Sequence, residues 1–473
     1  MNIQKLQHRF KERCGVVAIA SKSKASNYIY YSLRALQHRG QEAAGISVFN
    51  KKIESHKGIG LVANIFDDEK LKSMKGRNGI GHTYYSIKLS KPENAQPTII
   101  KTEAGEVALA HNGILINAEK LRKRLKRKGH EFELGCEEEV VGYLLIDHLN
   151  SSGDLINALK RTLNEIEGSY SFTMMFNNRI FGIRDPLGIK PLCLGKFADG
   201  YIIASESVAL DVIGAKMIRD VAPGEVVEIT SKDYKSHQLF NLKHRAHCFF
   251  EYTYFARGDS IIDERCVYEI RKRVGWRLAK EHPAHADIII PVPDSGRAHA
   301  FGFSLGSGIP LAEGLMKNRY IARTFIMPSQ KLREITVREK VNPIKCEVED
   351  KRVVLVDDSI VRGTTMKRIV DMVREAGASE VHVRIGTPPL ISPCYLGIDM
   401  TTRDQFIAHD RTVEEIREIL NADSLGYISI EGLVEALQFS KDDLCLGCVT
   451  EKYPMDIPPE KHRFQHTLKE YRY

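Results

Sequence analysis

The segment from residue 353 to residue 365, VVLVDDSIVRGTT, constrains the fold more than any other part of the sequence. Its apolar start predicts a buried strand, and Gly-Thr-Thr predicts a turn that opens a helix. Backbone N–H groups and hydroxyls at a helix N-terminus bind anions, and Gly363 lets the chain approach an anion closely. The carboxylates Asp357 and Asp358 repel an anion, so they suit sugar hydroxyls or Mg²⁺. The segment therefore predicts an α/β domain with a phosphate site.

Two further apolar runs place this segment in a parallel sheet. The runs are IIIPV at 288–292 and EVHVRI at 380–385, and the step from VVLV to EVHVRI has the length of a βαβ unit. Gly377 stands where the C-cap of the intervening helix is expected. The loop PVPDSGR follows the first run, and open α/β sheets bind ligands at the carboxyl ends of their strands. We expect residues 294–297 to contribute to the anion site.

The first half of the chain follows a different pattern. Between about residues 15 and 230, short runs rich in Val, Ile, Phe and Tyr are interrupted by Gly and Asn, which is typical of stacked antiparallel sheets. Helical patterns occur at residues 27–37 and 139–149. A chain of 473 residues exceeds the roughly 250–300 residues at which a single core stops growing. The sequence therefore predicts two domains, an N-terminal α+β sandwich and a C-terminal α/β domain.

Composition and charge argue against several other classes of protein. No run approaches the roughly 18 apolar residues of a membrane helix, and residues 1–13 lack a hydrophobic signal core. Nine cysteines without a signal peptide indicate a reducing, cytoplasmic compartment, where thiols are spare, catalytic or metal-bound. The basic run at 120–130 fits a solvated helix face, because Leu121 and Leu125 recur at helical spacing. We expect no membrane and no nucleic acid as partner.

Residues 353–365 resemble the phosphoribosyl-pyrophosphate motif of type I phosphoribosyltransferases. Other segments resemble, in order, those of the glutamine phosphoribosylpyrophosphate amidotransferase family: CGVVAIA, LRALQHRGQEAAGI, KGIGLV, AHNGILINA, RDPLGIKPL, ASES, RDVAPGEVVEI, FFEYTYFARGDS, KNRYIARTFIMPSQ and VREKVNP. The resemblance implies an αββα N-terminal-nucleophile sandwich, which passes ammonia from glutamine to a type I phosphoribosyltransferase domain with a parallel sheet and flanking helices. The implied activity is the first step of de novo purine synthesis.

For the N-terminal domain the resemblance implies a thiol nucleophile. Cys14 would attack the glutamine amide after residues 1–13 are removed as a propeptide, and its freed α-amino group would be the general base. Asn112 and Gly113 would form the oxyanion hole. The predicted domains are 14–235 for the glutamine amidotransferase and 236–473 for the phosphoribosyltransferase with a C-terminal extension.

For the C-terminal domain the resemblance implies a site for phosphoribosyl pyrophosphate. The implied substrate-binding residues are Asp357, Asp358, Ser359, Arg362, Gly363, Thr364, Thr365, Lys317 and Arg323. The implied Mg²⁺ ligands are Ser295, Asp357 and Asp358. The segment 317–330 resembles the loop that closes over the substrate and excludes water, and its basic residues would neutralise the departing pyrophosphate.

Four cysteines match another feature of the family. The pair Cys445 and Cys448, spaced as CxxC, on its own fits zinc, a redox dithiol or no function. Some members of the family carry a [4Fe-4S] cluster, and the resemblance implies that its four thiolates here are Cys248, Cys394, Cys445 and Cys448. The remaining cysteines beyond Cys14 are expected to be spare thiols: Cys136, Cys193, Cys266 and Cys346.

Two segments depart from the family pattern, and both concern glutamine recognition. The pattern GHxRYxT appears as GHTYYSI, so Tyr84 replaces the arginine that clamps the α-carboxylate and Ile87 replaces the threonine. The pattern SSDTEV appears as GCEEEV, so Glu137 replaces the aspartate that holds the α-amino group. Three explanations compete: a weakened glutaminase in an ammonia-using enzyme, a compensating cation such as Lys88, and another amide donor.

Three hypotheses for the function follow. The first is the amidotransferase, which makes 5-phosphoribosylamine, glutamate and pyrophosphate. The second is an ammonia-dependent phosphoribosylamine synthase with an impaired glutaminase half. The third is a non-catalytic regulator that senses phosphoribosyl pyrophosphate, although a sensor has no need of a water-excluding loop at 317–330. The resemblance also implies a homo-oligomer, either a dimer or a tetramer, inhibited by purine nucleotides.

Overall fold

The computed structural model describes residues 14–84, 92–102, 105–240, 244–318, 341–398, 400 and 402–458. The chain divides into two compact units. Among the described residues, the first unit lies between residues 14 and 247 and also contains 394–398 and 452–458. The second unit consists of Cys248–Pro393 and Met400–Glu451. The domain boundaries placed after residues 13 and 235 stay predictions.

Two antiparallel sheets form the centre of the first unit. Its strands are β1 (Cys14–Ser21), β2 (Ala43–Asn50), β3 (Lys52–Ile59), β4 (Asn78–Tyr84), β5 (Thr98–Thr102), β6 (Gly105–Leu115), β7 (Gly168–Phe176), β8 (Arg179–Arg184), β9 (Cys193–Phe197), β10 (Gly200–Ala204), β11 (Lys216–Asp220), β12 (Glu225–Ile229) and β13 (Tyr234–Gln238). One sheet has the order β11-β9-β10-β1-β4-β2-β3, and the other has the order β13-β12-β8-β7-β6-β5.

Helices cover the outer faces of both sheets. They are α1 (Ala25–Ala35), α2 (Val62–Ile65), α3 (Asp68–Ser73), α4 (Ala118–Arg127), α5 (Glu137–Ser152), α6 (Leu155–Glu165) and α7 (Val208–Asp211), with a 3-10 turn at Pro92–Asn94. The basic run at 120–130 lies largely in α4, where Leu121 and Leu125 are buried, so the prediction of a helix with a solvated basic face is confirmed.

The side chains of the central strands enter two different cores, because successive residues of a strand point to opposite faces of the sheet. On β1, Val17 and Ile19 pack in one core with Ile29 of α1. Val16 and Ala18 instead belong to the core that β1 shares with the second sheet. Both faces of β1 are therefore buried, one beneath a helix and one beneath a sheet.

The second sheet is also buried on both faces, by the first sheet on one side and by helices on the other. On β6, Ala108 and Ala110 enter the core between the two sheets, whereas Val107 and Leu109 pack with Leu144 of α5. The layers therefore run helix, sheet, sheet, helix. This is the αββα sandwich that the sequence predicts.

A parallel sheet with flanking helices forms the second unit. From His247 onward the strands, not all of which belong to this sheet, are β14 (His247–Cys248), β15 (Ile261–Ile262), β16 (Arg265–Cys266), β17 (Ile288–Pro291), β18 (Leu315–Lys317), β19 (Val341–Pro343), β20 (Arg352–Asp357), β21 (Glu380–Ile385), β22 (Ser424–Tyr427) and β23 (Leu444–Cys445). Its α-helices are α8 (Val267–Glu281), α9 (Arg297–Ser307), α10 (Lys345–Val348), α11 (Thr364–Glu375), α12 (Val413–Leu420), α13 (Ile430–Leu437) and α14 (Gly447–Thr450). Short turns of other helix types occur at Glu251–Phe255, Arg403–Gln405 and Lys441–Asp443.

The central sheet has the order β17-β20-β21-β22, and all its neighbouring strands are parallel. On α11, Met366, Ile369 and Val370 are buried at helical spacing against the sheet. The helix starts after Gly363, whose φ of 73° is left-handed, and Gly377, with a φ of 103°, follows its C-terminus. The βαβ unit predicted from VVLV to EVHVRI is confirmed. Within the described ranges, no helix has both the length and the apolar character needed to cross a membrane.

Candidate active sites

Cys14 is the first residue of β1 and is almost fully buried. It lies directly opposite Tyr84, the last residue of β4. Because Val16 and Ala18 face the second sheet, alternation directs the side chain of Cys14 to the same side. Tyr84 is its cross-strand partner and therefore shares that face. The thiol lies at one end of the layer between the two sheets.

Asn112 lies on β6, two residues after Ala110, and its side chain enters the same layer. It is fully buried, and in the part of the chain that the structure describes neither Nδ2 nor Oδ1 has a hydrogen-bond partner. Leaving a buried polar group unpaired costs about 1–3 kcal/mol. The Asn112 amide is therefore suited to form hydrogen bonds with a bound ligand.

Gly113 follows with a φ of 146°, a backbone conformation that side chains disfavour. A Cβ atom at this position would lie 2.0 Å from the carbonyl oxygen of Ser169. Only glycine therefore fits here without moving β7. The surroundings of Asn112 and Gly113 suit an oxyanion hole, and that role stays a prediction.

A buried histidine ties the two sheets together at this end. His82 of β4 is paired with Val16 of β1, and its Nε2 lies 3.1 Å from the carbonyl oxygen of His111. Burial lowers the pKa of His82 to about 4, so the ring is neutral at pH 7 and Nε2–H donates to that carbonyl. His111 directly precedes Asn112. This bond places Cys14 and Asn112 at the same end of the layer.

Arg39 is a buried cation beside the first residues of β1. It forms an ion pair with Glu206, which also bonds Nε2 of His38 at 2.7 Å. A Cβ atom added to Gly15 would lie 3.4 Å from Cδ of Arg39, so the arginine runs alongside the residue after Cys14. The motifs that contain Arg39 and Glu206 are visible in the sequence, but their pairing is not.

Glu137, which replaces the aspartate that holds the α-amino group of glutamine in the family pattern, is the first residue of α5. Its Oε2 accepts a hydrogen bond of 3.0 Å from the backbone N–H of Leu115 and lies 3.6 Å from Nδ1 of His111. A quarter of its side chain is exposed. Ile87 and Lys88 lie outside the described residues, so a compensating role of Lys88 stays a prediction.

In the second unit, the two carboxylates stand where β20 ends. The backbone N–H of Asp358 donates to Oδ1 of Asp357 at 2.9 Å, and the hydroxyl of Ser359 donates to Oδ1 of Asp358. Thr364 and Thr365, the first residues of α11, are exposed. Gly363 has a left-handed φ, and a Cβ atom there would lie 2.5 Å from Cδ1 of Ile407. Arg362 is partly exposed beside them. The loop thus offers carboxylates, hydroxyls and an open helix N-terminus together.

The second predicted loop follows β17, next to β20 in the sheet. The N–H of Val292 donates to the carbonyl of Val356 at 2.9 Å, and a Cβ on Gly296 would lie 2.4 Å from that same oxygen. This loop, which contains the half-buried Ser295, therefore runs alongside the end of β20. Lys317 forms an ion pair with Asp294. Arg323 and the rest of the predicted closing loop lie outside the described residues.

The four predicted cluster ligands all belong to described segments. Cys248, Cys445 and Cys448 are buried, and Cys394 is half-buried. Strands β14 and β23, which end at Cys248 and Cys445, pair in a two-stranded sheet. The N–H groups of Ile391 and Ser392 donate to the carbonyl of Cys448 at 3.0 and 3.1 Å. No disulfide bond joins any of the nine cysteines, and among the residues described no three His, Cys, Asp or Glu side chains are gathered as metal ligands.

Comparison with known proteins agrees with both halves of this description. Residues 82–212 match the glutamine amidotransferase domain, and residues 263–385 match the phosphoribosyl transferase domain. The amidophosphoribosyltransferase of Methanothermobacter thermautotrophicus is 49% identical over 461 residues, covering 96% of this chain and 97% of the relative. The Bacillus subtilis amidophosphoribosyltransferase is 43% identical over 455 residues, covering 94% and 95%.

Solved structures give the same result. The B. subtilis glutamine phosphoribosylpyrophosphate amidotransferase, complexed with ADP and GMP, has a TM-score of 0.88 and 43% identity, and the match covers 94% of this chain and 98% of that one. The structure of the allosteric regulatory enzyme of purine biosynthesis has a TM-score of 0.89 and 43% identity, covering 94% and 97%.

The fold and its two sites define a class of enzyme, in which a glutamine amidotransferase domain is joined to a phosphoribosyltransferase domain. An enzyme of this class is a glycosyltransferase with amidotransferase activity. Given relatives that match over nearly their whole length, the chain belongs to the amidophosphoribosyltransferase family. The family and the two-domain architecture predicted from the sequence are confirmed.

Proposed function

We propose that this enzyme converts phosphoribosyl pyrophosphate, glutamine and water into 5-phosphoribosylamine, glutamate and pyrophosphate, the first step of de novo purine synthesis. The observation that carries the proposal is the loop after β20, where Asp357 and Asp358 stand beside the left-handed Gly363 and the open N-terminus of α11. In such a loop the carboxylates can bind the hydroxyls of a sugar phosphate, while the helix N-terminus binds the phosphate group.

In the first half-reaction, the thiolate of Cys14 attacks the side-chain amide carbon of glutamine. The Nδ2 of Asn112 and the N–H of Gly113 donate to the oxyanion that forms. The C–N bond then breaks as the nitrogen takes a proton, which releases ammonia and leaves a thioester. Water hydrolyses the thioester to glutamate and restores the thiol. The α-amino group of Cys14 is the general base in this scheme, which requires removal of residues 1–13.

In the second half-reaction, ammonia attacks C1 of the ribose and pyrophosphate leaves. The hydroxyls of Thr364 and Thr365 and the N–H groups of α11 bind the 5′-phosphate. Asp357 and Asp358 accept hydrogen bonds from the ribose hydroxyls. Ser295 and Lys317 lie near the departing pyrophosphate, with Arg323 as a further predicted cation. The segment 317–330, which resembles the closing loop of the family, is proposed to keep water from competing with ammonia.

Magnesium fits the donor set of this site. Hard carboxylate and hydroxyl oxygens, here from Ser295, Asp357 and Asp358, suit Mg²⁺, which usually keeps several waters and binds substrate phosphates. When bound, the ion neutralises charge on the pyrophosphate as it leaves. The protein's own contribution is to orient the ribose and the pyrophosphate around C1.

We also propose that Cys248, Cys394, Cys445 and Cys448 hold a [4Fe-4S] cluster. Four cysteine thiolates are the ligand set that such a cluster requires. The pairing of β14 with β23 supports the proposal, because it brings the segments that carry Cys248 and Cys445 together. A bound cluster would link the segment that carries Cys445 and Cys448 to the strand that carries Cys248.

Iron analysis of anaerobically purified protein tests the cluster. We expect about four irons and four inorganic sulfides per chain, as the four-cysteine ligand set implies. Cys445→Ser should lower the iron content sharply, whereas Cys346→Ser should not, because Cys346 is exposed and outside the set. Stoichiometric zinc in place of iron, or full iron retention by Cys445→Ser, would contradict the proposal.

We propose three further properties of this enzyme. The B. subtilis relative was solved with ADP and GMP, which supports purine nucleotides as inhibitors of this enzyme. A homo-oligomer, dimer or tetramer, rests on the family resemblance. A cytoplasmic location is supported by nine cysteines with no disulfide bond among them, since disulfides are rare in that reducing compartment.

Release of pyrophosphate tests the proposed reaction. With phosphoribosyl pyrophosphate and Mg²⁺, we expect turnover with either glutamine or ammonium as the nitrogen donor. Absence of turnover with both donors would refute the function. Turnover with ammonium alone would support the second candidate, an ammonia-dependent synthase. One observation favours that candidate: Tyr84, directly opposite Cys14, cannot offer the guanidinium fork that binds a carboxylate.

A further inference from the structure

Two carboxylates at the start of α5 hold the part of β6 that carries Asn112. Glu137 accepts from the N–H of Leu115, as described above. Glu138 is 4% exposed, and its Oε1 lies 3.3 Å from Nδ1 of His111. One contact therefore lies on each side of Asn112 along the strand. Both come from the helix-facing side of β6, opposite the layer that Asn112 enters.

Gln96 completes this arrangement. Its Nε2 donates to Oε1 of Glu138 at 3.0 Å, and its Oε1 accepts from the backbone N–H of His111 at 2.7 Å. Glu138 thus holds His111 twice, once through the imidazole and once through the Gln96 amide that holds the His111 backbone. The His111 carbonyl is meanwhile bonded to His82. His111, the residue before Asn112, is therefore held at its backbone N–H, its carbonyl and its side chain.

The negative charge of Glu138 strengthens the contacts that hold His111. Burial alone would raise the pKa of the Glu138 carboxyl, but the hydrogen bond and charge of His111, together with hydrogen bonds from the Cys136 side chain and the backbone, leave its pKa below the usual value. The group is therefore an ionised carboxylate at neutral pH. A buried carboxylate interacts with its partners more strongly than a neutral amide would, because the surrounding dielectric is low.

We propose that Glu138 is a positioning residue for the oxyanion hole, acting through His111 and Gln96 to aim the unpartnered Asn112 amide at the reacting carbonyl beside Cys14. It touches no substrate. The family pattern SSDTEV, which GCEEEV resembles, has threonine at the position of Glu138. The inference rests on the proposed function, because an oxyanion hole matters only if glutamine is hydrolysed.

Steady-state kinetics of Glu138→Gln test the proposal. The substitution keeps the shape and removes the charge. Displacing a catalytic group by about 1 Å can cost roughly 100-fold in rate, so we expect kcat with glutamine to fall about 10- to 100-fold. KM for glutamine should change less than about threefold, since Glu138 makes no substrate contact. The ammonium-dependent rate should equal that of the wild type, and thermal unfolding should show the same native fraction.

Two further variants separate positioning from general structural damage. His111→Gln and the double variant should lose about as much rate as Glu138→Gln alone, because residues that act as one unit are not additive. Glu165→Gln is the matched control: Glu165 also pairs with a histidine, His148 at 2.7 Å, but in a helix–helix contact of α5 and α6. It should leave kcat unchanged.

The outcomes distinguish this inference from the proposed function. If the wild type uses glutamine but Glu138→Gln retains its kcat, or changes only KM, the positioning role is wrong while the function stands. If the Glu138 and His111 effects multiply independently, the proposed linkage is wrong. If the wild type turns over ammonium but never glutamine, the glutaminase half of the function and this inference are both wrong, while the transferase reaction stands.

Discussion

Replacing Cys14 with alanine is expected to abolish glutamine-dependent formation of 5-phosphoribosylamine and to leave the ammonium-dependent rate unchanged. The thiolate forms the bond that splits amide hydrolysis into two easier steps, and alanine has no nucleophile to replace it. Loss of a nucleophile that works with a base and an oxyanion hole typically costs at least about 10⁴-fold in kcat. Ammonium bypasses this step, because the transferase site consumes ammonia whatever its source. Pyrophosphate release with each donor measures both rates in one preparation.

Cys193→Ala is the matched control for this experiment. Cys193 is as buried as Cys14 and lies in the same sheet on β9, where its thiol donates to the carbonyl of Ala204 at 3.3 Å. We expect it to lower the free energy of unfolding slightly and to retain both activities. If Cys14→Ala still hydrolyses glutamine, or if Cys193→Ala loses the activity as well, the assignment of Cys14 as the nucleophile is wrong.

The transferase core is predictable from the sequence because its signals are local. An unbroken apolar run marks β20, which is buried on both faces, and the glycines on either side of α11 mark where the helix starts and ends. Asp357, Asp358 and Gly363 are close in sequence, so their proximity in space follows from the strand–turn–helix path alone. Little about this loop depends on distant parts of the chain.

The glutaminase site is less predictable, because its geometry depends on which face each strand presents. The β1 sequence, CGVVAIAS, is apolar at nearly every position, since it is buried on both sides. No alternation in the sequence therefore shows that Cys14 faces the second sheet. That direction becomes clear only once Val16 is seen in the core between the sheets and Val17 beneath α1.

The support of the oxyanion hole could not be predicted at all. Gln96 and Glu138 are 42 residues apart, and they meet only because the start of α5 packs behind β6. In the sequence, Glu138 stands out only as part of GCEEEV, where the departure at Glu137 draws attention to glutamine binding. Long-range contacts between polar side chains of this kind have no periodic signal.

The double substitution Asp357→Asn and Asp358→Asn is expected to reduce the reaction with both donors to the same extent. Each carboxylate is proposed to accept a charge-assisted hydrogen bond from the ribose, worth about 1.5–3 kcal/mol. Two such bonds correspond to roughly 10²- to 10⁴-fold in kcat/KM. Both donors attack the same ribose carbon, so the loss cannot depend on the source of nitrogen. Initial rates of pyrophosphate release with glutamine and with ammonium measure it.

Asp371→Asn provides the control, because Asp371 lies on α11 in the same βαβ unit and pairs with Lys367 across one helical turn, at 3.4 Å. A surface pair of this kind contributes little, so both rates should be retained. A loss confined to glutamine would mean that the β20 loop serves the amidotransferase reaction and not the ribose. The Cys14 and the Asp357/Asp358 variants thus make opposite predictions for ammonium: full activity in the first and loss in the second. Only an enzyme with two separate sites, one that releases ammonia and one that consumes it, satisfies both.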